Sequence, residues 1–146
     1  MKKYLLILLL TLSTAAFSQE WKTDFVKSKE EAAAQNKNII LVFAGSDWCG
    51  PCMKLEKNIW DSAEFKEEAQ KSWILVKADF PKKKANQLAE NLKKQNAELA
   101  EKYNAEGNFP FVLVLDKTGK VLGKVGYENL KPADYIQLLH SFEKKI

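Results

Sequence analysis
The period of the apolar positions changes several times along the chain, and each change marks an element. Ile39-Ile40-Leu41-Val42-Phe43-Ala44 is apolar without interruption, the pattern of a strand covered on both faces. After the turn that follows it, Met53, Leu55, Ile59 and Trp60 recur at helical spacing and predict a helix to about Trp60. Asp61-Ser62 opens a further helical stretch through Phe65 and Ala69, and Trp73 to Asp79 reads as the next strand, broken by Pro81. Upstream, Glu20-Trp21-Lys22 is a short first strand. Ser28-Lys29-Glu30-Glu31 matches a capping box that starts a helix to about Asn36.

Downstream, Ala85, Leu88, Leu92, Leu99 and Tyr103 fall near one face, with Lys and Glu on the other. That pattern predicts one long amphipathic helix over Lys82–Tyr103, kept for packing or offered to a partner. Asn104 to Asn108 is a loop. Phe111–Leu115 and Val121–Tyr127 flank Asp116-Lys117-Thr118-Gly119, a hairpin signal. Pro132 suits the first turn of a last helix whose apolar side is Tyr135, Ile136, Leu139 and Phe142. Strands and helices alternate first and a hairpin follows, so the expected fold is α/β with a mixed sheet and helices on both faces.

Length and charge narrow this further. A chain of 146 residues holds one domain with a real core and is too short for two. Residues 1–18 stand apart, with Lys2 and Lys3, an apolar run from Tyr4 to Leu12, and Ala16-Phe17-Ser18 as a cleavage site. That is the pattern of a secretory signal peptide, and its apolar part is shorter than the about 20 residues of a spanning helix. The expected organisation is a signal peptide over 1–18 and one domain over 19–146. The net charge of +4 includes two lysines of this leader, so the mature chain is nearly balanced. With no arginine in the chain, bidentate phosphate or base recognition has no tool, and Lys82-Lys83-Lys84 reads as a solvated helix start. Nucleic acid is not an expected partner.

The candidate chemistry sits between the apolar run and the helix that follows it. Cys49 and Cys52 are the two cysteines of the chain, within Trp48-Cys49-Gly50-Pro51-Cys52. At a helix mouth, unsatisfied N–H groups and the positive end of the macrodipole stabilise an anion. Cys49 is then a thiolate with a depressed pKa and the nucleophile, and Cys52 shares its face one turn further in. Three other uses of the pair are open. A structural staple across so short a loop contributes about 2 kcal/mol, against about 3 for fifteen residues. Half a zinc site would need four ligands, and only His140 is available besides. Inert buried thiols fit poorly beside Gly50-Pro51. Thiol–disulfide exchange fits the pair best, and it requires Cys49 to be open to water and largely ionised near neutrality.

This motif resembles the active-site sequence of the thioredoxin superfamily. The resemblance runs from about Asn38 to about Phe142, with Phe109-Pro110 where the family has its cis-proline and Lys124-Val125-Gly126 where its last strand ends. Ser46-Asp47-Trp48-Cys49 and Lys54-Leu55-Glu56 look most like secreted thioredoxin-like proteins. They are also similar to the exported thioredoxin-like domain of bacterial transmembrane thiol electron transporters. The resemblance implies a three-layer α/β/α sandwich with a long extra helix before the cis-proline loop. It implies catalysis by Cys49 and Cys52 with no metal and no cofactor beyond their redox-active disulfide. Trp48, Gly50, Pro51, Phe109 and Pro110 become the substrate-binding residues. An X–Pro bond can be cis or trans on its own account; the resemblance implies cis at Pro110, which would turn the backbone of Phe109 toward the cysteines.

One departure changes the proton bookkeeping. Thioredoxins usually carry a buried acid six residues before the first cysteine, where this chain has Phe43. Glu56, four residues after Cys52 on the same helix face, is the replacement candidate as proton acceptor, with Lys77 as a weaker tuning group. Gly50-Pro51 places no charge beside the thiolate, so a reductase of protein disulfides is expected; the leader makes it exported, periplasmic or secreted, and a monomer is expected. By analogy a separate membrane thiol electron donor would recharge it. The rivals are a disulfide isomerase or oxidase, a binding module that uses the fold without turnover, and a copper-delivery module, which would want a histidine or methionine near the cysteines.

Overall fold
The apolar run Asn38–Ala44 forms β2, and Ile39 to Phe43 are essentially without solvent exposure. The structure, a computed structural model, describes residues 19–144; the expected signal peptide lies outside the described residues. Alternate residues of β2 enter different cores. Ile40, Val42 and Ala44 join one cluster, and Ile39, Leu41 and Phe43 join the other. Such a strand needs a partner on both edges and a cover on both faces.

Both are supplied. β1 (Trp21–Lys22) and β3 (Trp73–Asp79) run parallel to β2, while β4 (Phe111–Leu115) and β5 (Val121–Val125) form an antiparallel hairpin on its other side. The order is β1-β3-β2-β4-β5, a mixed sheet. Helices α1 (Phe25–Gln35) and α4 (Glu90–Tyr103) cover the face of Leu41 and Phe43 through Phe25, Ala32 and Leu99. The other face is covered by α2 (Gly50–Leu55), α3 (Ala63–Ser72) and α5 (Pro132–Glu143), through Leu55, Phe65, Tyr135 and Leu139. The result is the expected three-layer sandwich.

Three local readings are revised. Helix α1 is capped by Asp24, not Ser28. The Asp24 carboxylate accepts the Lys27 N–H at 3.0 Å, and buried Ser28 instead donates its hydroxyl back to the Asp24 carbonyl at 2.6 Å. Starting a turn earlier places Phe25 in the core. The second helix does not stay α to Trp60: Glu56–Trp60 is a π-helical turn closed by Asp61 N–H to Glu56 O at 2.9 Å. The wider turn lets neighbouring Ile59 and Trp60 both be buried.

The long helix expected over Lys82–Tyr103 is also shorter than its pattern. Only Glu90–Tyr103 is α-helical; Lys84–Asn86 is a single 3-10 turn in an otherwise extended segment. Ala85, counted on the apolar face, is exposed. The amide groups of Lys82 and Lys83 that would begin a helix are taken by a side chain from elsewhere in the fold, described below.

The end of the sheet remote from the cysteines is tied by polar groups. Glu143 of α5 accepts from Trp73 Nε1 at 2.8 Å and from Asn38 Nδ2 at 2.9 Å. His140 bridges Glu143 and Glu68 of α3. The Ser72 hydroxyl, ahead of His140, holds the Glu68 carboxyl below its usual range. Replacing Asp24 with alanine should lower unfolding stability by about 1 kcal/mol, as for other helix caps. Urea denaturation at neutral pH measures it, and an unchanged midpoint would contradict the cap assignment.

Candidate active site
At the carboxyl end of β2 the chain makes one turn, Gly45–Trp48, closed by Cys49 N–H to Gly45 O at 2.9 Å. Cys49 keeps extended backbone angles and is the N-cap of α2. Its Sγ accepts the Cys52 N–H at 3.3 Å. Pro51 occupies the first turn, where the missing N–H breaks no helical bond. The two sulfurs are joined as a disulfide, with the Cα atoms 5.2 Å apart. A Cβ added at Gly50 would meet nothing within 4 Å, so the space at this residue is open.

The expectation of a water-exposed Cys49 is not met in this disulfide form. Cys49 is 4% exposed and Cys52 6%, and both belong to the core cluster of Leu55, Trp60 and Val112, with Phe109 packed against it. The physical reason is packing: Cys49 caps α2 where that helix lies on the sheet, so the pair is covered by the residues of this cluster.

Trp48 lies beside the pair, 37% exposed, its ring edge-on to Phe109 at 5.3 Å. Its seat is made by tertiary contacts that the motif does not reveal. The indole N–H donates to Phe80 O at 2.7 Å, and Lys82 Nζ stands over the ring at 3.9 Å. The indole lies so close to Gly45 that a Cβ there would come within 2.3 Å of Cε2.

The segment holding Trp48 is itself held by Asp47. One carboxylate oxygen accepts the Lys82 N–H at 2.9 Å; the other accepts Lys83 N–H at 2.9 Å and Asn86 Nδ2 at 3.0 Å. The Lys82 amide first, then Asn86 and Lys83, hold the Asp47 carboxyl below the usual aspartate range. Next to it, Ser46 donates N–H and hydroxyl to the Asp79 carboxylate at 2.9 and 2.6 Å. Buried Asn96 of α4 donates to Asp79 O at 3.0 Å. Sequence reasoning missed Asp47, Asp79, Phe80 and Asn96. The signal for Asp47 was its place beside Trp48; nothing in the sequence pairs it with residue 82.

The Phe109–Pro110 bond is cis. The loop before it is closed by buried Asn104, whose side chain donates to Asn108 O at 2.8 Å and accepts from Asn108 N–H at 2.9 Å. Phe109 packs against Trp48 and, at 5.5 Å, Phe80, so Trp48, Phe80 and Phe109 form one aromatic group beside the disulfide. Phe43 stacks on Phe80 at 6.4 Å, which fills with an aromatic pair the position where thioredoxins carry an acid.

Glu56 and Lys77 meet each other: Lys77 Nζ donates to Glu56 Oε2 at 2.7 Å and also stands over the Trp21 ring at 4.9 Å. The Glu56 N–H bonds the Cys52 carbonyl, which keeps this residue one helical turn from the inner cysteine. The His140 ring lies tilted against Trp73, at the opposite end of the strands from the cysteines. Among the described residues no group of three His, Cys, Asp or Glu could hold a metal ion.

Comparison with known proteins agrees with this geometry. Residues 20–117 match a family model described as Thioredoxin-like. The chain is similar to the disulfide bond reductase DsbH of Chlamydia pneumoniae, 34% identical over 90% of this chain and 76% of the relative. A solved structure named DsbH Oxidoreductase superposes with a TM-score of 0.82 at 33% identity, covering 95% of this chain and 94% of that one. The thioredoxin-related protein DsbJ of the same organism is 28% identical over 73% of this chain, but the match spans only 30% of its length.

Because the Asp47 carboxyl is held below its ordinary value, its bonds to the Lys82 and Lys83 amides are complete above the normal aspartate range. They are lost only as pH falls through the lowered value. NMR shifts of those two amide protons should follow that titration together and move at neutral pH in Asp47→Ala. Shifts that ignore both would refute the anchoring.

Proposed function
Belonging as it does to the thioredoxin-like family, this chain is a thiol–disulfide oxidoreductase, and we propose that it works as an exported reductase of protein disulfides. The observation that carries the reading is the Cys49–Cys52 disulfide closed across the first turn of α2, with Cys49 Sγ already accepting a helix N–H. The same N–H would stabilise the Cys49 thiolate once the pair is reduced.

In the forward reaction the Cys49 thiolate attacks one sulfur of a substrate disulfide. A mixed disulfide forms, and the other substrate sulfur leaves as a thiolate that takes a proton from water. The Cys52 thiol then gives its proton to the Glu56 carboxylate and attacks Cys49 Sγ. The second substrate sulfur leaves and the Cys49–Cys52 bond forms; two electrons have passed from the dithiol to the substrate. Lys77, paired with Glu56 at 2.7 Å, orients the acceptor carboxylate. Trp48 and Phe109 offer apolar contact to the substrate, the open space over Gly50 admits its chain, and the cis-Pro110 loop presents backbone for strand-like pairing.

The direction rests on the uncharged Gly50-Pro51 pair and on the named activity of the 34% identical relative. Export rests on the leader pattern of residues 1–18. A reductant in an oxidising compartment needs recharging, so the implied partners are disulfide-bearing proteins and a membrane thiol donor.

Equilibration with glutathione buffers should give a potential nearer the about −270 mV of thioredoxin than the about −120 mV of DsbA, and a value above about −180 mV would exclude a reductase. In the reduced protein, alkylation of Cys49 should titrate below the about 8.5 of a free cysteine; titration like an ordinary thiol would sink the mechanism. Cys52→Ser should accumulate mixed disulfides through Cys49. Glu56→Gln should slow exchange and shift its pH profile, and an unchanged profile would remove Glu56 from the proton path.

A further inference from the structure
The segment Phe80–Ala89, whose composition suggested the start of a long helix, lies instead as a strap beside the redox turn. Asp47 fixes it through two backbone amides and Asn86. The acids nearest the strap are turned onto donors of the chain: Asp47 onto the strap itself, Asp79 onto Ser46 and Glu90, the residue after the strap, onto Lys93. Its lysines are not so engaged. Lys82 lies over Trp48, while Lys83, whose charge acts on nearby Asp47, and Lys84 are exposed and form no direct ion pair among the described residues. Behind the strap, against α4, opens a cavity of about 250 Å³ whose apolar lining is Phe80, Pro81, Leu88 and Ala97, with Asp79 and Lys93 also in its wall. Phe80 belongs to both places, since its carbonyl holds Trp48 and its ring meets Phe109.

We propose that the strap selects substrates, with Lys83 and Lys84 holding acidic side chains next to the target disulfide while the cavity takes an apolar side chain of the same segment. The occupant is an extended, acidic stretch of a disulfide-bearing polypeptide. Exposed ammonium groups on the strap that walls an apolar cavity fit an amphipathic peptide, whereas a nucleic acid offers no aliphatic anchor. The inference deepens the reductase reading and rests on exchange at Cys49 and Cys52. Exposed ion pairs are individually weak, so two of them should change kcat/KM about three- to tenfold, through KM.

The test compares two disulfide-linked peptides that share a phenylalanine and differ only in flanking Glu-Glu or Lys-Lys. Rates with the reduced protein are each divided by the rate on neutral bis(hydroxyethyl) disulfide. The acidic peptide should be favoured about three- to tenfold at low ionic strength, and the preference should collapse near about 0.5 M salt. The double substitution Lys83→Glu and Lys84→Glu should reverse it, which a merely structural loss could not do. Changing the peptide's phenylalanine to alanine should raise KM and leave kcat. Equal rates for the two peptides, or a preference untouched by the double substitution, would overturn the proposal. An acidic peptide indifferent to its phenylalanine would overturn the cavity's part in it. Failure to reduce even the neutral disulfide would instead defeat the redox reading beneath it.

Discussion

A strand with no polar face cannot end its burial problem locally. β2 carries apolar side chains on both sides, each worth about 1.5–3 kcal/mol when fully removed from water, and only a sandwich of helices can cover both. That demand brings α1 and α4 to one face and α2, α3 and α5 to the other. It also fixes where the chain emerges. The carboxyl end of the central strand is flanked by β3 and β4, so a helix starting there opens among the cis-Pro110 loop, Phe80 and the turn at Gly45. The cysteines stand at that opening because β2 ends there.

The immediate surroundings of the disulfide depend on polar bonds between residues distant in sequence. Trp48 is oriented by the carbonyl of Phe80 and the ammonium of Lys82, and both lie on a segment that Asp47 holds in place. Asn104 does the corresponding work for the loop before Pro110. The mouth of the site is therefore built from two loops, each shaped by one short polar side chain that satisfies backbone groups no helix or strand would satisfy. A carboxylate that takes two amides and a side-chain N–H from one turn competes directly with helix formation there, and Lys82–Asn86 shows the outcome.

Most elements were legible from periodicity and turn chemistry. β2 and β3 read almost to the residue, because continuous burial leaves a continuous apolar run. The Ser62 cap and Pro132 start read equally well, because both act within one turn of chain. The errors have local causes. Ser28 resembles a cap in sequence, but Asp24 wins because an earlier start buries Phe25. The π turn at Glu56 is invisible to a 3.6-residue period, since it appears only when Ile59 and Trp60 must both face the core. Glu56 and Lys77 were each noticed separately, and their pairing across α2 and β3 has no signal in either segment. The site cysteines and Pro51 were readable from their own motif and cis-Pro110 from the family resemblance, whereas Asp47, Asp79, Phe80 and Asn96 were not.

Short-range chemistry was thus written into the chain: which segments form strands, which residue opens the redox helix, and which two sulfurs can close a ring across a single turn. Burial of that ring, the seat of Trp48 and the strap laid beside it came from contacts between segments more than thirty residues apart. Propensity and spacing describe what a stretch of backbone prefers when its polar groups must find partners nearby. Once the sheet brings distant donors and acceptors within reach, those partners prevail, and the loops take shapes that no local pattern contains.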